Sequence, residues 1–483
     1  MLLRLSKNAF VRQYGGFTYI LGRIISFDQM FHNAEPFFRW LTRTPVEKVQ
    51  IVKNICDLFV DADEAEIAAD FDGFLAPLLS AKVVLEGATP EELDAQEEDF
   101  SYDVADPKTA HDMKAVSHAE ADFMPQSVLG KYFEEHPTLM RLQLDITQAC
   151  TERCLHCYIP EYNPIFLPFE KICSVIDEFR AMEGLNLTLS GGECMMHPDF
   201  DRIVRYAREK DLIVGILSNL TLCDDAKVRL LRETESTVQV SLYSMDPEIH
   251  DTITQRPGSW LKTKTAIEKL RAAHVPCRIS CPTMKQNYEG YLTVIEYARS
   301  LKMDAQTDFI IMGQMNGDAC NVAKCRLDLE QTRHLLEDIV FRSVPMNTEY
   351  FNPVKKNDML SPEEWMKNKV CGAGIDSMCL DADGHYYPCP AFGGYDLGNC
   401  HTQSLREVWE KSPAILRLRA VRGKDFPKCA VCKDRDYCSI CMCRNSNEGN
   451  DIFTPAEHFC KVAEINHQVV DELHERIRRS QGI

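Results

Sequence analysis

The chain has 483 residues, of which 45% are hydrophobic, and its formal net charge at pH 7 is −19. This acidic balance excludes a general binder of nucleic acid or anionic membranes, because such proteins need dense lysine and arginine patches to neutralise phosphates or attract lipid headgroups. We find no run of about 18 apolar residues that would predict a membrane span, and a polar break near the start interrupts any signal-peptide core, so a cytoplasmic location is expected. The 21 cysteines then predict metal or iron–sulfur ligation, because a reducing compartment disfavours disulfides.

Residues 1–86 have the pattern of a small domain. Two strand-like runs surround Gly15 and Gly16, a turn pair that permits positive φ in a tight hairpin. Apolar residues at helical spacing follow in three stretches, near residues 36–45, 46–60 and 65–81. The predicted domain is a hairpin followed by three helices.

An acidic segment comes next, at residues 87–137. Its first part, residues 87–107, contains acidic residues throughout and no lysine or arginine. Such a stretch repels itself and has too few apolar residues to fold, so we interpret residues 87–137 as a linker. A docked acidic segment is the alternative.

Residues 138–315 alternate between short β-rich runs and amphipathic helices. The six strand-like runs are RLQLDIT, LNLTLSGGE, LIVGILSN, TVQVSLYS, VPCRISCPT and DAQTDFIIM. This order predicts an α/β fold in which a parallel sheet with right-handed crossovers curls into a partial (β/α)6 barrel. The active site of such a sheet lies at the carboxyl ends of its strands. A helical bridge is predicted for residues 316–364.

Beyond about residue 365 the alternation stops and cysteines concentrate. They are Cys371, Cys379, Cys389, Cys400, Cys429, Cys432, Cys438, Cys441, Cys443 and Cys460. We expect a small domain over residues 365–483 that is organised by metal rather than by a large apolar core.

The loop after the first barrel strand reads QACTERCLHCY and holds Cys150, Cys154 and Cys157 in the spacing C-x3-C-x2-C. Three thiolates can hold three irons of a [4Fe–4S] cluster, which leaves the fourth iron open to another ligand. The alternative is a zinc site that is completed by His156 or by a distant residue.

With this loop and strand order, residues 138–315 resemble the radical S-adenosylmethionine (radical SAM) superfamily. The resemblance implies that Cys150, Cys154 and Cys157 hold the catalytic cluster and that S-adenosylmethionine chelates its open iron. It also implies reductive cleavage of this cofactor to a 5′-deoxyadenosyl radical, which removes a hydrogen atom from the substrate. Tyr158 occupies the position where the family places an aromatic residue near the adenine.

A second motif, Ser190-Gly191-Gly192-Glu193, ends the second strand and matches the family's glycine–glycine–glutamate segment. Glycines let the backbone approach a ligand closely, and the carboxylate can accept hydrogen bonds from the methionine ammonium group. For a lone segment of this kind a strand-end turn is the alternative.

Further cofactor contacts are implied at the ends of the later strands, where ordinary polar capping is the alternative for each residue. These positions are Ser218, Asn219, Ser241, Tyr243 and Asn287. Many relatives place an arginine after a histidine–aspartate pair to hold the cofactor carboxylate. Here Thr254 stands at that position, and Arg256, two residues later, is the candidate.

The carboxy-terminal cysteines resemble the SPASM domain, which holds two auxiliary [4Fe–4S] clusters. The implied ligand sets are Cys371, Cys389 and Cys441, with Cys379 as a candidate fourth ligand, for one cluster, and Cys429, Cys432, Cys438 and Cys460 for the other. Two zinc sites are the alternative, because C-x2-C pairs also form zinc knuckles.

One interval of this region departs from the family pattern. The usual run ends C-x5-C-x3-C, whereas Cys438 is followed by Cys441 after two residues and by Cys443 after four. The pattern therefore does not choose between Cys441 and Cys443. If Cys379 is a buried free thiol, the first auxiliary cluster has an open iron that could bind substrate.

The amino-terminal segment resembles the PqqD-like leader-recognition domain of peptide-modifying radical enzymes. Domains of that kind bind an extended leader peptide as a strand added to their sheet edge. The alternative is a generic winged-helix-like domain that serves packing or dimerisation.

Together these resemblances imply a maturase of ribosomally made peptides that forms a thioether crosslink from a substrate cysteine. Its expected cofactors are S-adenosylmethionine and three [4Fe–4S] clusters, and its expected partners are a precursor peptide and an electron donor such as flavodoxin or ferredoxin. The enzymatic alternatives are carbon–carbon or carbon–oxygen crosslinking, epimerisation, and oxidation of a protein residue as in sulfatase-maturing relatives. The non-enzyme alternative is an iron–sulfur scaffold that only binds peptide.

Overall fold

The computed structural model describes residues 1–23, 27–32, 34–59, 63–103, 128–343, 360–449 and 451–481. The chain divides into two compact units, residues 1–101 with 183–185 and residues 102–182 with 186–483. None of the helices in the described ranges is long and apolar enough to cross a membrane.

The first unit contains two three-stranded antiparallel sheets and four helices in its described residues. Its elements are β1 (Leu2–Leu5), β2 (Ala9–Tyr14), β3 (Phe17–Gly22), β4 (Phe27–His32), α1 (Glu35–Phe38), β5 (Val46–Glu47), α2 (Lys48–Cys56), α3 (Glu64–Ser80), β6 (Val84–Gly87) and α4 (Pro90–Asp94). One sheet has the order β5–β1–β6, and the other is the meander β2–β3–β4. The helices enclose an apolar core that includes Leu3, Ile51, Phe71 and Leu75.

The predicted hairpin of β2 and β3 is confirmed, with Gly15 at a φ of 60° in its turn. The sequence analysis missed β4, which pairs with β3 along its whole length. The helix predicted near residues 36–45 is shorter and covers only Glu35–Phe38.

Part of the acidic segment that we interpreted as a linker is folded. Its Glu97 carboxylate accepts hydrogen bonds from the Lys7 backbone N at 3.0 Å and from Ser6 Oγ at 2.8 Å, and it pairs with Arg4 at 3.1 Å. Arg4 also pairs with Asp94 at 2.6 Å. Residues 88–101 thus pack as the docked acidic segment that we gave as the alternative, because basic groups on and after β1 neutralise these carboxylates. Residues 104–127 lie outside the described residues.

The second unit is built on one nine-stranded sheet. Its strands are β7 (Arg141–Thr147), β8 (Asn186–Gly191), β9 (Ile213–Ser218), β10 (Thr237–Ser241), β11 (Cys277–Pro282), β12 (Asp304–Asp308), β13 (Ser377–Leu380), β14 (His385–Tyr387) and β15 (Gly398–Asn399). The strands β12, β11, β10, β9, β8 and β7 are neighbours in that order and all parallel. The predicted six-stranded parallel sheet is confirmed.

The helices of the second unit follow in chain order. They are α5 (Val128–Glu135), α6 (Phe169–Ala181), α7 (Phe200–Glu209), α8 (Asp225–Glu233), α9 (Pro247–Thr254), α10 (Ser259–Ala272), α11 (Tyr291–Ser300), α12 (Cys320–Cys325), α13 (Leu329–Ser343), α14 (Pro362–Lys367), α15 (Leu405–Lys411), α16 (Pro413–Ala420), α17 (Pro427–Ala430), α18 (Met442–Asn447) and α19 (Glu457–Gln481). Helices α12 and α13 lie in the predicted bridge, whose residues 344–359 are outside the described ranges.

The carboxy-terminal region shares the sheet with the barrel, which the sequence did not predict. Strand β13 pairs in parallel with β7, so that Cys379 lies beside Gln143, and β14 and β15 extend the sheet in antiparallel order. The edge of the first barrel strand is thereby covered.

The side chains of β7 alternate between an apolar and a polar face of the sheet. Leu142, Leu144 and Ile146 are buried on one face, whereas Gln143 and Asp145 alternate with them on the other, as the two-residue period of a strand requires. The second face is polar and lies inside the curl of the partial barrel. It can therefore hold hydrogen-bonding groups of a ligand.

Two glycines after β8 let the loop that follows β7 come close. Gly191 has a φ of 122°, and a Cβ atom there would lie 2.2 Å from Thr147 O. A Cβ atom on Gly192 would lie 2.4 Å from Ala149 O. Both contacts are with backbone, which cannot move aside as a flexible side chain would.

Substitution of Gly191 by alanine should destabilise the second unit. The positive φ and the clash with Thr147 O together should lower the free energy of unfolding by about 2–3 kcal/mol. Urea unfolding followed by circular dichroism measures this change.

Gly130 provides a matched control for that substitution. It lies in α5, and nothing is within 4 Å of a Cβ atom built on it. Gly130→Ala should leave stability unchanged or raise it by up to about 1 kcal/mol, because alanine favours a helix. Equal effects of the two substitutions would contradict the role assigned to Gly191.

Candidate functional site

The three cysteines of the C-x3-C-x2-C motif lie on the loop after β7, at the carboxyl end of the parallel sheet. Two backbone hydrogen bonds hold this loop against the end of α9. Arg153 N donates to Thr254 O and Leu155 N donates to Ile253 O, each at 2.9 Å. The loop is thus fixed by main-chain contacts on both the β8 and the α9 sides.

Donor groups from neighbouring strands point at the sulfur atoms. Asn219 Nδ2 is 3.9 Å from Cys150 Sγ, and Tyr243 Oη is 3.8 Å from Cys154 Sγ. Burial raises the pKa of the Cys150, Cys154 and Cys157 thiols. The free thiols therefore hold their protons at neutral pH and release them when they bind a metal.

The donor set fits an iron–sulfur cluster better than a zinc ion. A structural zinc site is closed by four protein ligands around one ion, whereas this loop supplies three thiols. In a [4Fe–4S] cluster each thiolate binds a different iron, so the sulfurs stand further apart. His156, the candidate zinc ligand, is buried against Tyr243 with ring centroids 5.1 Å apart, and burial lowers its pKa to about 4.

Glu193 ties the ends of β8 and β9 together. Its Oε1 accepts hydrogen bonds from Ser218 Oγ at 2.8 Å and Met195 N at 3.0 Å, and its Oε2 accepts one from Asn219 N at 2.9 Å. The expected carboxylate is therefore buried at the mouth of the sheet, but most of its hydrogen-bonding capacity is used within the protein. Gly191 and Gly192 likewise approach the cysteine loop rather than open space for a ligand.

Two expected adenine and ribose contacts lie near the cysteine loop. Ser241 ends β10, and its side chain hydrogen-bonds to Tyr243. Tyr158 packs with an apolar cluster of the carboxy-terminal region that includes Phe392 and Met442. Tyr158 therefore lies between the first cysteine loop and the carboxy-terminal cysteines.

Two other expected cofactor residues are placed differently. Asn287 is buried, and its amide donates to Tyr243 O at 2.7 Å and to Pro282 O at 3.0 Å, so it braces the strand ends instead of facing a ligand. Arg256 is exposed beyond the end of α9. Thr254, which stands at the family's arginine position, is fully buried and bonds to Ser259 Oγ at 2.8 Å.

The sequence analysis missed two buried carboxyl groups beside these elements. Glu152 lies within the cysteine loop, 3.4 Å from Cys154 Sγ, and burial raises its pKa to about 7. Asp145 lies on the polar face of β7, accepts a hydrogen bond from Gln143 at 2.7 Å, and has its pKa raised by burial to about 6. A carboxylate inside an apolar strand run was the available signal for Asp145.

The second set of carboxy-terminal cysteines gathers as the motif predicted. Cys429, Cys432, Cys438 and Cys460 all line one cavity, together with apolar residues of α19 such as Phe459 and Ala463. Four thiols around one cavity fit the ligand requirement of a [4Fe–4S] cluster.

The first set, Cys371, Cys389 and Cys441, gathers with Cys443 in an apolar cluster that also includes Cys429 of the second set. Cys379, the candidate fourth ligand, lies on β13 with its thiol directed at Asp145 Oδ2, 3.8 Å away. The structure therefore brings a cysteine into this group that was not in the expected set.

The second unit combines a parallel partial barrel, a three-thiol loop at the carboxyl edge of its sheet, and two further groups of thiols. This combination is typical of an iron–sulfur enzyme. Residues 144–298 match the family model described as the radical SAM superfamily, and residues 371–439 match the SPASM model described as an iron–sulfur cluster-binding domain. The chain therefore contains a radical SAM domain and a SPASM domain and is a radical SAM enzyme, which implies S-adenosylmethionine and iron–sulfur clusters as cofactors.

Curated relatives have several activities. The chain is 26% identical to the AdoMet-dependent heme synthase of Methanosarcina barkeri, over 62% of this chain and 90% of the relative. It is 24% identical to the subtilosin biosynthesis protein AlbA of Bacillus subtilis, over 65% of this chain and 69% of the relative. It is 25% identical to the PqqA peptide cyclase of Granulibacter bethesdensis, over 62% of this chain and 80% of the relative.

Solved structures share the fold. Streptococcus suis SuiB bound to the precursor peptide SuiA superposes with a TM-score of 0.61 at 16% identity, covering 95% of this chain and 100% of that one. The enzyme anSMEcpe with bound AdoMet and a peptide superposes with a TM-score of 0.52 at 15% identity, covering 71% of this chain and 99% of that one.

Asp145 predicts a pH-dependent stability. Burial raises its pKa from the ordinary value of 3.8 to about 6, so between these values the folded protein binds more protons than the unfolded chain and loses stability as the pH rises. A pKa difference of this size corresponds to about 3 kcal/mol. The stability gained by Asp145→Asn relative to the wild type should therefore be up to about 3 kcal/mol larger at pH 7 than at pH 4. Urea unfolding of the metal-free protein measures this free-energy difference.

A gain from Asp145→Asn that does not depend on pH would show that the Asp145 carboxyl is not desolvated in the folded protein.

Proposed function

We propose that this radical SAM enzyme is a maturase that installs a crosslink, a thioether from a substrate cysteine, in a ribosomally made precursor peptide. The observation that carries the proposal is the presence, in one chain, of the three-thiol loop and of an amino-terminal unit whose meander ends in an edge strand, β4. An edge strand can take up an extended leader peptide through main-chain hydrogen bonds. The activity expected from residues 1–86 is therefore leader recognition.

The two edges of the meander are not equivalent. On β2, Gln13 N donates to the Glu183 carboxylate at 3.0 Å and Tyr14 Oη donates to Glu183 O at 3.1 Å. Within the part of the chain that the structure describes, β4 pairs with β3 and has no strand on its other side. We therefore assign the leader to β4.

The relatives support a peptide substrate. SuiB is solved with its precursor peptide, and the PqqA peptide cyclase and AlbA are named for peptide cyclisation and bacteriocin biosynthesis. The matches do not choose between a thioether, another crosslink and epimerisation. The two auxiliary thiol sets favour a crosslink over epimerisation, because formation of a crosslink releases one electron that needs an acceptor. Among the crosslinks, the thioether is the one we propose.

In this proposal Cys150, Cys154 and Cys157 hold the catalytic cluster. Of the expected cofactor residues, Tyr158, Asn219 and Ser241 lie around the cysteine loop. Glu193 Oε2 accepts one hydrogen bond among the described residues, and a carboxylate oxygen has room for a second donor, such as the ammonium group of S-adenosylmethionine. Gly191, Gly192, Ser218 and Asn287 act by positioning the loop and strand ends, and Arg256 stays a candidate for an exposed contact.

When bound, S-adenosylmethionine and the [4Fe–4S] clusters, three in this proposal, would supply two things. One is the radical that removes a substrate hydrogen atom, and the other is an acceptor for the electron that is released as the new bond forms. The remaining product is a proton from the substrate thiol. Asp145 lies on the inner face of β7 and is buried with a pKa near neutrality, so it is the group we assign to accept that proton. The external electron would come from a flavodoxin or ferredoxin, in the cytoplasm.

A tetrapyrrole substrate is the second candidate, because one relative is a heme synthase that matches over 90% of its own length. That match covers only 62% of this chain. If the substrate were a tetrapyrrole, the edge strand of the amino-terminal unit would have no leader peptide to bind. Conversion of a tetrapyrrole but not of a peptide by the purified enzyme would favour it.

Replacement of Cys150, Cys154 and Cys157 by alanine should abolish cleavage of S-adenosylmethionine to 5′-deoxyadenosine and methionine in the presence of dithionite. It should also lower the iron content by about four atoms per chain. Leader binding, measured by fluorescence anisotropy, should persist because the amino-terminal unit is unchanged. The control is Cys173→Ala on α6, a half-buried cysteine outside the motifs, which should leave cleavage and iron content unaltered.

The peptide substrate is tested by co-expression of the enzyme with the small open reading frame beside its gene, followed by mass spectrometry. A loss of two hydrogens that depends on the three cysteines, with the substrate cysteine blocked to alkylation, is the expected result. An unchanged mass with an inverted residue would replace crosslinking by epimerisation. Retained leader binding with no cofactor cleavage, even when iron is fully loaded, would leave only the scaffold alternative.

A further inference from the structure

The structure resolves an ambiguity in how the first auxiliary group of thiols is completed. Its members lie in one buried cluster with Phe392, Met442 and Phe426. Cys371 neighbours Cys389 and Cys441, and Cys443 neighbours the same two cysteines. Four thiols, from three separate segments of chain, therefore meet around one centre.

The positions of Cys441 and Cys443 are fixed by α18 and its contacts. Arg444 N lies 3.5 Å from Cys441 Sγ, and Cys443 Sγ lies 3.8 Å from Met312 Sδ. At the other end of the helix, Asn447 Nδ2 donates to Ala391 O at 2.7 Å. This bond ties α18 to the loop that carries Cys389.

The loop after β12 packs tightly against both α18 and the loop that carries Cys389. A Cβ atom on Gly313 would lie 2.4 Å from Asn447 O, and one on Gly393 would lie 1.9 Å from Met315 O. Both Cys389 and Cys443 are therefore held by segments that are packed backbone to backbone. The thiols are set by the fold rather than by a mobile loop.

Cys441 also lines the cavity of the second thiol set. That set already has four cysteines, and a [4Fe–4S] cluster has four irons that each take one thiolate. Cys441 is therefore available to the first set, as is Cys443.

Cys379 also neighbours Cys389, but it differs from these four in its position in the fold and in its hydrogen-bond partner. It lies on β13 in register with Gln143 of β7, and its thiol points at Asp145 Oδ2, 3.8 Å away. A thiol that hydrogen-bonds to a carboxyl group on the inner face of the sheet has a partner other than iron. The rigid pairing with β7 also prevents it from moving towards α18.

We propose that Cys443 is the fourth cysteine ligand of the first auxiliary cluster, together with Cys371, Cys389 and Cys441, and that Cys379 is a free thiol on the inner face of the sheet. This assignment rests on the proposed presence of auxiliary clusters. It gives the first cluster four cysteine ligands, so no iron of that cluster is open to substrate. Cys441 and Cys443 can both be ligands at the start of α18 because only one residue separates them.

The test uses the full chain with Cys150, Cys154 and Cys157 replaced by alanine, so that only auxiliary clusters remain. After anaerobic reconstitution this background protein should hold about eight irons, four for each cluster. Cys443→Ala is then added, and the protein is reduced with dithionite and treated with 13C-labelled cyanide. We expect either a 13C coupling in pulsed electron paramagnetic resonance, from cyanide on a newly opened iron, or a fall to about four irons.

Cys379→Ala in the same background is the matched control, and it should change neither iron content nor spectrum. An unchanged spectrum and iron content on Cys443→Ala would overturn the assignment, as would any change on Cys379→Ala. If Cys443→Ala does not fold, Cys443→Ser keeps the volume of the side chain and should retain iron with altered g-values. A background protein without iron would overturn the auxiliary clusters themselves, and with them the proposed function.

Discussion

The site depends on one close backbone contact, between the loop after β7 and the glycine pair after β8. Gly192 N donates to Thr147 O and Glu193 N donates to Ala149 O, each at 2.8 Å. A Cβ atom on Gly191 would lie 2.2 Å from Thr147 O, and one on Gly192 would lie 2.4 Å from Ala149 O, so both residues must be glycine. These bonds set the start of the cysteine loop. Through Glu193 they also set the ends of β8 and β9, so the cysteines, the carboxylate and Asn219 form one rigid unit.

The sequence predicted those parts of the molecule in which local pattern and structure agree. The six parallel strands follow from alternating β-rich and helical runs, and the three-thiol loop follows from spacing at the end of the first run. The second auxiliary set was predictable for the same reason, because Cys429, Cys432 and Cys438 are close in sequence. Strand β4 was missed because its sequence, FDQMFH, contains no β-branched residue, although its partner β3 is adjacent in the chain. The folded acidic segment was missed because its partners on and after β1 lie about 90 residues away in the sequence.

Contacts between distant segments account for the other differences. The pairing of β13 with β7 joins residues that are far apart along the chain, and no spacing rule reports it. The same pairing directs Cys379 towards Asp145, while the fold of α18 brings Cys443 to Cys389. Spacing alone could not choose between Cys441 and Cys443, because they follow Cys438 after two and four residues where the family pattern has three. The polar residues at strand ends had the same limitation: Asn287 was expected to face a ligand, but its partners are backbone carbonyls.

The pairing of β13 with β7 also has a consequence for biosynthesis. Strand β7 is synthesised long before β13, and until residues 377–380 leave the ribosome its outer edge has no partner. An unpaired edge of a largely apolar strand is a template for association with other chains. Chains that stop before β13 would carry a complete catalytic loop on an open sheet. The carboxy-terminal region thus closes the barrel's sheet as well as holding metal. If the catalytic cluster of Cys150, Cys154 and Cys157 were loaded on a nascent chain, its loading would precede that closure.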